Sequence, residues 1–379
     1  MRLNTFTKKI IFDYLTSRMQ HIYSKRILKI MKMNHIPVKK VAGEEKFLEK
    51  WKRLSDNVDV NYYRCYSAYI GMDVNILPED INYNIIEPIL NPCKFRGFYG
   101  DKNMFDRVLP KEYLPQTVLR NINGSFYDAD YVSIPLLSDE KLFSFLHSHD
   151  KVIVKPAMET CSGFGVFVFQ KKADGVYENR EGKRLDVEYL MQQYGKNYII
   201  QECLQQHEML ASLNSSSVNT LRVCTYRSVK TQEGIVTNIV LRVGKRGAEV
   251  DNIHAGGVLF GISSVGKISS YGVNQWGERV TSFNGIDYES KDLFIPDIDK
   301  VIVFAKEISQ RVLHHRVLNL DIVLDKTGSP KLLEYNVRDM GVWAFQFTTG
   351  SVFGEYTDEV IDYCAEHLEE RSLALGINE

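Results

Sequence analysis

Over residues 3–33 apolar positions recur at helical spacing. Phe6, Ile10, Ile11, Tyr14, Leu15, Met19, Ile22, Tyr23, Ile27, Ile30 and Met31 step by three, four and one, and Lys8, Lys9, Arg18, Lys25 and Lys29 take the other face. The spacing predicts one helix or a helical pair. Residues 35–43, around Pro37 and Gly43, break it. A second helical face (Phe47, Leu48, Trp51, Leu54) begins near Glu44. From 60 to 110 the chain is mixed, rich in Tyr and Asn, and punctuated by Pro78, Pro88 and Pro92. That predicts a small α/β or helical lobe, with a helix-like run at 104–108, a strand at 114–119 and a helix at 139–149.

At Val152 the period shortens. Apolar runs at 152–156, 166–169 and 198–204 read as strands, and longer ones at 219–226 and 235–243 as an antiparallel pair turning around Gly234. A further hairpin is expected at 257–262 and 267–271, an amphipathic helix at 298–313 (Val301, Phe304, Ile308, Val312) and a last helix at about 358–370. Residues 319–336 read as two short strands around Gly328-Ser-Pro330. Side chains alternate along a strand, so Glu334 and Asn336 share a face, with Asp321 on the paired strand. Three oxygen-bearing side chains converging there suit Mg²⁺, which is hard and prefers oxygen. The alternative is a solvated hairpin face with ordinary polar residues.

The 379 residues suffice for two or three domains. The net charge of −1 hides an asymmetry: residues 1–40 hold ten Lys/Arg and one acid, +9, which leaves −10 for the remainder. The basic segment therefore either packs on the body as a helix or lies on an anionic membrane as an interfacial anchor. No apolar run approaches the roughly 20 residues of a membrane span. The six cysteines form no CxxC pair, which argues against a zinc site or a disulfide framework and for a reducing cytoplasm. Nothing points to nucleic acid, because the basic stretch is a single amphipathic segment on an acidic body.

Lys155 closes an apolar strand just before the small-residue loop 159–165, which contains Ser162, Gly163 and Gly165. A lysine there can reach a phosphate, and glycine lets backbone N–H groups approach it closely. The order is neither that of a Walker loop nor that of a Rossmann turn, since no helix opens on the glycines. Glu202 near a strand end and Glu208 beyond it offer one group for an adenine edge and one for ribose hydroxyls. Arg222, Arg242 and Lys245 bring cations onto neighbouring strands. Cations, Mg²⁺ and a glycine loop are what phosphoryl transfer needs, because its catalysis is mostly positioning and charge neutralisation.

This ordered set resembles the ATP-grasp superfamily. Asn219-Thr-Leu-Arg-Val, Val250-Asp-Asn-Ile-His-Ala-Gly-Gly and Leu333-Glu-Tyr-Asn narrow the likeness to the sugar-transfer-associated ATP-grasp group, found near exopolysaccharide and capsule genes and related to teichuronopeptide-type proteins. The resemblance implies an α+β fold with a nucleotide cleft between two α+β subdomains, residues 151–215 and 216–379. A basic helical segment (1–45) and a small lobe (46–150) would precede them. By the same resemblance Lys155 and Lys102 contact phosphates with the 162–165 loop. Gln201, Glu202, Cys203 and Leu204 line the adenine, and Glu208 binds the ribose. Asp321, Glu334 and Asn336 hold two Mg²⁺ ions, with Glu334 bridging. Arg222 faces the γ-phosphate or an acyl-phosphate, and Asn252 and His254 lie near the acceptor.

The implied activity is that of an ATP-dependent carboxylate–amine ligase acting through an acyl-phosphate, joining an amine or amino acid to a sugar acid for a surface polysaccharide. The alternatives are a phosphotransferase on the same fold and a non-catalytic nucleotide-binding partner of a glycosyltransferase complex. His314-His315, at a helix end where the dipole favours cations, is expected to be structural. Trp276 and Trp343 are expected in the core rather than as sugar platforms.

Overall fold

The structure, a computed structural model, describes residues 5–158, 164–248 and 251–375. The basic segment forms a single helix, α1 (Thr5–Met33). Its C-terminal half is core: Ile27, Ile30 and Met31 are fully buried against Trp51, Tyr62 and Tyr66 of the next two helices, α2 (Glu44–Trp51) and α3 (Asn61–Ile70). Its N-terminal half leaves Ile10 and Tyr14 exposed but buries Phe12, and Thr16 O accepts from Asn84 Nδ2 at 3.2 Å. Packing of the second half does not decide the role of the first.

Residues 79–113 form short helical turns, including a π-turn at Asn82–Ile86. Two seven-stranded antiparallel sheets follow. The first contains β1 (Thr117–Ile122), β2 (Ser125–Tyr127), β3 (Ser133–Ile134), β4 (Lys151–Pro156), β5 (Phe167–Lys171), β6 (Tyr177–Glu178) and β7 (Tyr198–Glu202), in the order β3-β2-β1-β7-β4-β5-β6. It therefore runs across residue 150, where the lobe and the first subdomain are expected to divide. A pair at the middle of the sheet, β1 with β7, draws one strand from each side of that division.

The second sheet contains β8 (Thr220–Arg227), β9 (Gly234–Val243), β10 (Val258–Ile262), β11 (Ile268–Val273), β12 (Arg279–Val280), β15 (Val317–Leu324) and β16 (Pro330–Asn336). Its order is β12-β11-β10-β9-β8-β15-β16, beside a two-stranded hairpin of β13 (Ser282–Phe283) and β14 (Ile286–Asp287). Strand alternation gives this sheet two different faces. Leu221, Val223, Leu241, Leu320 and Ile322 point to the helix Ile298–Arg311 and pack on its Val301, Phe304 and Ile308. Cys224, Tyr226, Val240 and Val317 belong instead to the core that holds α1–α3 and the C-terminal residues 340–364, and Tyr226 packs edge-on against Phe353. Arg222, Arg242 and Asp321 have the parity of this second face, so it is the face that carries charge.

The predicted hairpins at 219–243 and 319–336 are present. The histidine pair is not a helix-end cation site, because the helix stops at Arg311. His315 is fully buried, and burial, Arg96 and His314 push its pKa down to about 3 against the Phe95 backbone, which raises it. It is a neutral core ring, packed edge-on against Tyr99.

Candidate nucleotide and metal site

β16 is the edge strand of the second sheet, and it meets the middle of the first. Lys155, on β4, has the opposite parity to Val152 and Val154, which fill the first sheet's core. Its Nζ is thereby aimed out of that core and reaches Leu333 O on β16 at 3.5 Å. Lys102 comes in from the short lobe, where its backbone N–H is fixed to Ala157 O at 2.8 Å. Its Nζ lies 3.1 Å from Glu334 Oε2. Burial, and then the charge of Lys102, lower the Lys155 pKa to about 8 against the pull of Glu334. Two lysines and one carboxylate from three segments thus share one seam.

The cross-strand register assembles the rest. Asp321 pairs with Glu334 on one side and with Arg222 on the other. Arg222 holds Asp321 through both Nε–Oδ1 (2.8 Å) and Nη2–Oδ2 (2.9 Å). Arg242 pairs with Thr220 and reaches diagonally, Nη1 to Asp321 Oδ2 at 2.7 Å. Asp321 is buried, which disfavours its charge, but the two guanidiniums outweigh this and hold its carboxyl below the usual range. Three of its roughly four lone-pair positions are used, so it has about one left to offer a metal.

Asp251 is a residue that the sequence reading did not single out. Its Oδ1 lies 3.1 Å from Arg242 Nη2, and its Oδ2 accepts from the Thr220 N–H at 3.0 Å. Arg242 is therefore clamped between two carboxylates. The signal was visible in the Val250-Asp-Asn-Ile-His run, but only its bond to Thr220, which faces Arg242 in the register of β8 with β9, brings Asp251 to Arg242.

The other expected residues divide. Asn336 donates Nδ2 to Asn319 O at 3.3 Å, so the oxygen end of its amide is the end a metal would use. Gly165 has φ +75°, and a Cβ there would lie 3.1 Å from Pro156 Cγ, so glycine is required at the base of the loop. Ser162 and Gly163 lie outside the described residues. Glu202 accepts from the Gln116 N–H at 3.1 Å, and the Cys203 N–H is taken by Lys151 O at 3.2 Å. Gln201 is buried and donates to Pro115 O at 3.3 Å. Leu204 follows in the chain, and Glu208 is exposed at the first position of the helix Glu208–Leu213. Asn252 caps the turn that carries His254, accepting its N–H at 2.9 Å. His254 Nδ1 lies 2.7 Å from Gln275 Oε1. Lys245 is exposed beyond the end of β9 and joins no ion pair shown among the described residues. Also among the described residues, no group of three His, Cys, Asp or Glu side chains is arranged to hold a metal ion.

An α+β protein with a charged seam between two antiparallel sheets is thereby defined. The chain belongs to the sugar-transfer associated ATP-grasp family, whose profile matches residues 86–360. No curated protein sequence matches it. Among solved structures it is similar to a biotin carboxylase from Campylobacter jejuni in complex with β-γ-ATP, at 11% identity and a TM-score of 0.40 over 71% of this chain and 46% of that one. D-cycloserine synthetase DcsG is similar at 13% identity and a TM-score of 0.40, over 72% of this chain and 71% of that one. N5-carboxyaminoimidazole ribonucleotide synthetase from Thermotoga maritima gives 12% identity and a TM-score of 0.34 over 70% and 49%. This chain spans less than half the length of the carboxylase.

Proposed function

We propose that this protein is an ATP-dependent carboxylate–amine ligase that joins an amine to a sugar acid for a surface polysaccharide. The observation that carries the reading is the seam itself: Lys102 3.1 Å from Glu334, and Lys155 3.5 Å from Leu333 O between the two sheets. An ATP phosphate chain drawn in there replaces a protein carboxylate and a carbonyl as partner of the two lysines. The Glu202–Leu204 segment lines the base, and Glu208 the ribose. Glu334 and Asn336 would hold magnesium, with Asp321 adding one bond. Magnesium supplies neutralisation of phosphate charge.

In this reading a substrate carboxylate oxygen attacks the γ-phosphorus. The bond from that phosphorus to the bridging oxygen breaks, and ADP departs with the electron pair. The amine nitrogen then attacks the acyl carbon, the C–O bond to phosphate breaks, and the amine's proton passes to the departing phosphate or water. Arg222 and Arg242 face the charge that develops on the transferred group. Fixed cations of this kind act without reorganising during the step. Water must be kept from the acyl-phosphate if the amine is to capture it.

The exposed apolar residues Ile10 and Tyr14, beside Lys9 and Arg18, suit peripheral contact with an anionic membrane. No helix among the described residues is long and apolar enough to cross a membrane.

Calorimetric titration of ATP with and without Mg²⁺, into the wild type and Glu334→Ala, tests the nucleotide reading. Metal-dependent binding that weakens in the variant is expected; no binding to either protein overturns it. Product analysis then separates an amide from a stable phosphate ester, and the ester would overturn the ligase reading.

A further inference from the structure

Beyond the end of β16 lies a cavity of about 260 Å³. Two of the chain's three tryptophans, Trp276 and Trp343, stand in its wall with Tyr23 of α1 and Tyr83 of the helical lobe. Both indoles pack on the core, as the sequence suggests, yet all four aromatic residues stay partly accessible. Trp51 shows the contrast. It is fully buried, and its indole N–H donates to Val74 O at 3.2 Å. The indole N–H groups of Trp276 and Trp343 have no hydrogen-bond partner among the described residues, and neither do the hydroxyls of Tyr23 and Tyr83. An aromatic ring with an unanswered polar tip suits a surface that meets apolar and polar groups together.

The rings are held in place. Arg26 lies 4.9 Å over Trp343 and Lys29 lies 3.6 Å over Trp276, so α1 braces both indoles. A Cβ at Gly341 would touch Trp343 Nε1 at 3.4 Å; glycine, at φ +59°, leaves that N–H uncovered. The charges of the wall are largely answered. Arg26 bonds Glu79 at 2.8 Å, and Arg96 reaches Glu87 at 3.4 Å. Of the three carboxylates in the wall, Asp339 is the one that joins no ion pair among the described residues.

An anion in the cavity would meet the Asp339 carboxylate, and a wholly apolar ligand would strand the indole and phenol tips. A pyranose ring suits both. Its C–H face can lie on aromatic side chains, while its hydroxyls accept from indole N–H groups, exchange bonds with the phenols and donate to a carboxylate. The volume is below the roughly 300–1,000 Å³ of pockets for drug-sized ligands, so it suits one ring and not a chain of them. Met340, also in the wall, accepts a hydrogen bond from Asn319 Nδ2, and Asn319 pairs with Asn336. Asp339 follows Asn336 by three residues, at most about 11 Å of extended chain. The cavity therefore adjoins the candidate metal site. We infer that it seats the ring of the sugar acid in the ligation proposed above, with the acid's carboxylate toward Asn336; the assignment rests on that reading.

The test is tryptophan emission of the full chain with Mg²⁺ and a non-hydrolysable ATP analogue. The probes are glucuronate and galacturonate, with glycerol as a polyol that has no ring. At least one uronate is expected to change the emission saturably, and glycerol is not. The double variant Trp276→Phe with Trp343→Phe should silence the response, since buried Trp51 is then the remaining indole. Calorimetry should show affinity for that uronate weakened about fivefold in Tyr23→Phe, which loses one neutral hydrogen bond, and about tenfold in Asp339→Asn, which loses a charge-assisted one. Analogue binding should stay unchanged in all of these variants. If the analogue binds and neither uronate does, the cavity assignment is overturned and the nucleotide reading stands. The same holds if glycerol acts as the uronates do, if the response survives in the double variant, or if Tyr23→Phe and Asp339→Asn both bind as the wild type does. Failure of the analogue itself to bind overturns the nucleotide reading and this assignment together.

Discussion

Lys102 and Glu334, 232 positions apart in the chain, meet at 3.1 Å where the helical lobe touches the edge strand of the second sheet. In the proposed site, Lys102 neutralises the Glu334 carboxylate and would keep both groups in place until phosphate and cation separate them. Glu334→Gln removes the carboxylate without changing shape. ADP formation is expected to fall at least about a hundredfold, the scale of losing one group that stabilises developing charge. An unchanged rate in a steady-state assay would remove Glu334 from the metal site.

Lys155 gives a pH signature. Its pKa is lowered to about 8 in the folded protein, against an ordinary value of 10.5. Between those values the unfolded chain holds the proton and the folded chain does not, so this group makes stability rise with pH across that window. Phosphate binding needs the charged form. ATP binding near pH 8.5 should therefore take up a proton, read as a binding enthalpy that varies with the ionisation enthalpy of the buffer. In Lys155→Arg that uptake should vanish, because arginine stays charged. A buffer-independent enthalpy in the wild type would contradict the placement of Lys155 on the phosphates.

Asp321 is expected to be structural as well as functional. Asp321→Asn leaves the guanidiniums of Arg222 and buried Arg242 facing one another with less compensation. Breaking a buried pair in this way typically costs about 3–5 kcal/mol. Urea unfolding should show a loss of that order, partly recovered by adding Arg222→Met, which removes one of the stranded charges. Full stability of the single variant would mean that Asp251 alone can hold Arg242.

The two halves of α1 should separate experimentally. Removing residues 1–20 should abolish sedimentation with anionic liposomes, since Ile10 and Tyr14 are exposed, and should lower stability by the loss of buried Phe12. Ile27→Ala or Ile30→Ala, in the core, should cost about 2–5 kcal/mol each. Liposome binding that survives the truncation would end the membrane reading without touching the ligase reading.

Periodicity along the chain was enough to predict α1, the longer strands from 152 onward and the hairpin of β15 and β16, but not the two-residue strands β6, β12, β13 and β14. Spacing of two or three residues maps directly onto a face of a helix or strand. The family likewise came from the order of local motifs between Lys155 and Asn336. What the local pattern could not carry was contact between distant segments. Asp251, between β9 and β10, became a partner of Arg242 only because it bonds to Thr220, the residue opposite Arg242 on β8. His315 reads as a polar residue after a helix, yet the packing of Tyr99 and Arg96 around it makes it a neutral core ring. Sequence determines which side chains share a face over a few residues. Burial and charge balance are sums over all neighbours in space, and only the folded chain sets them.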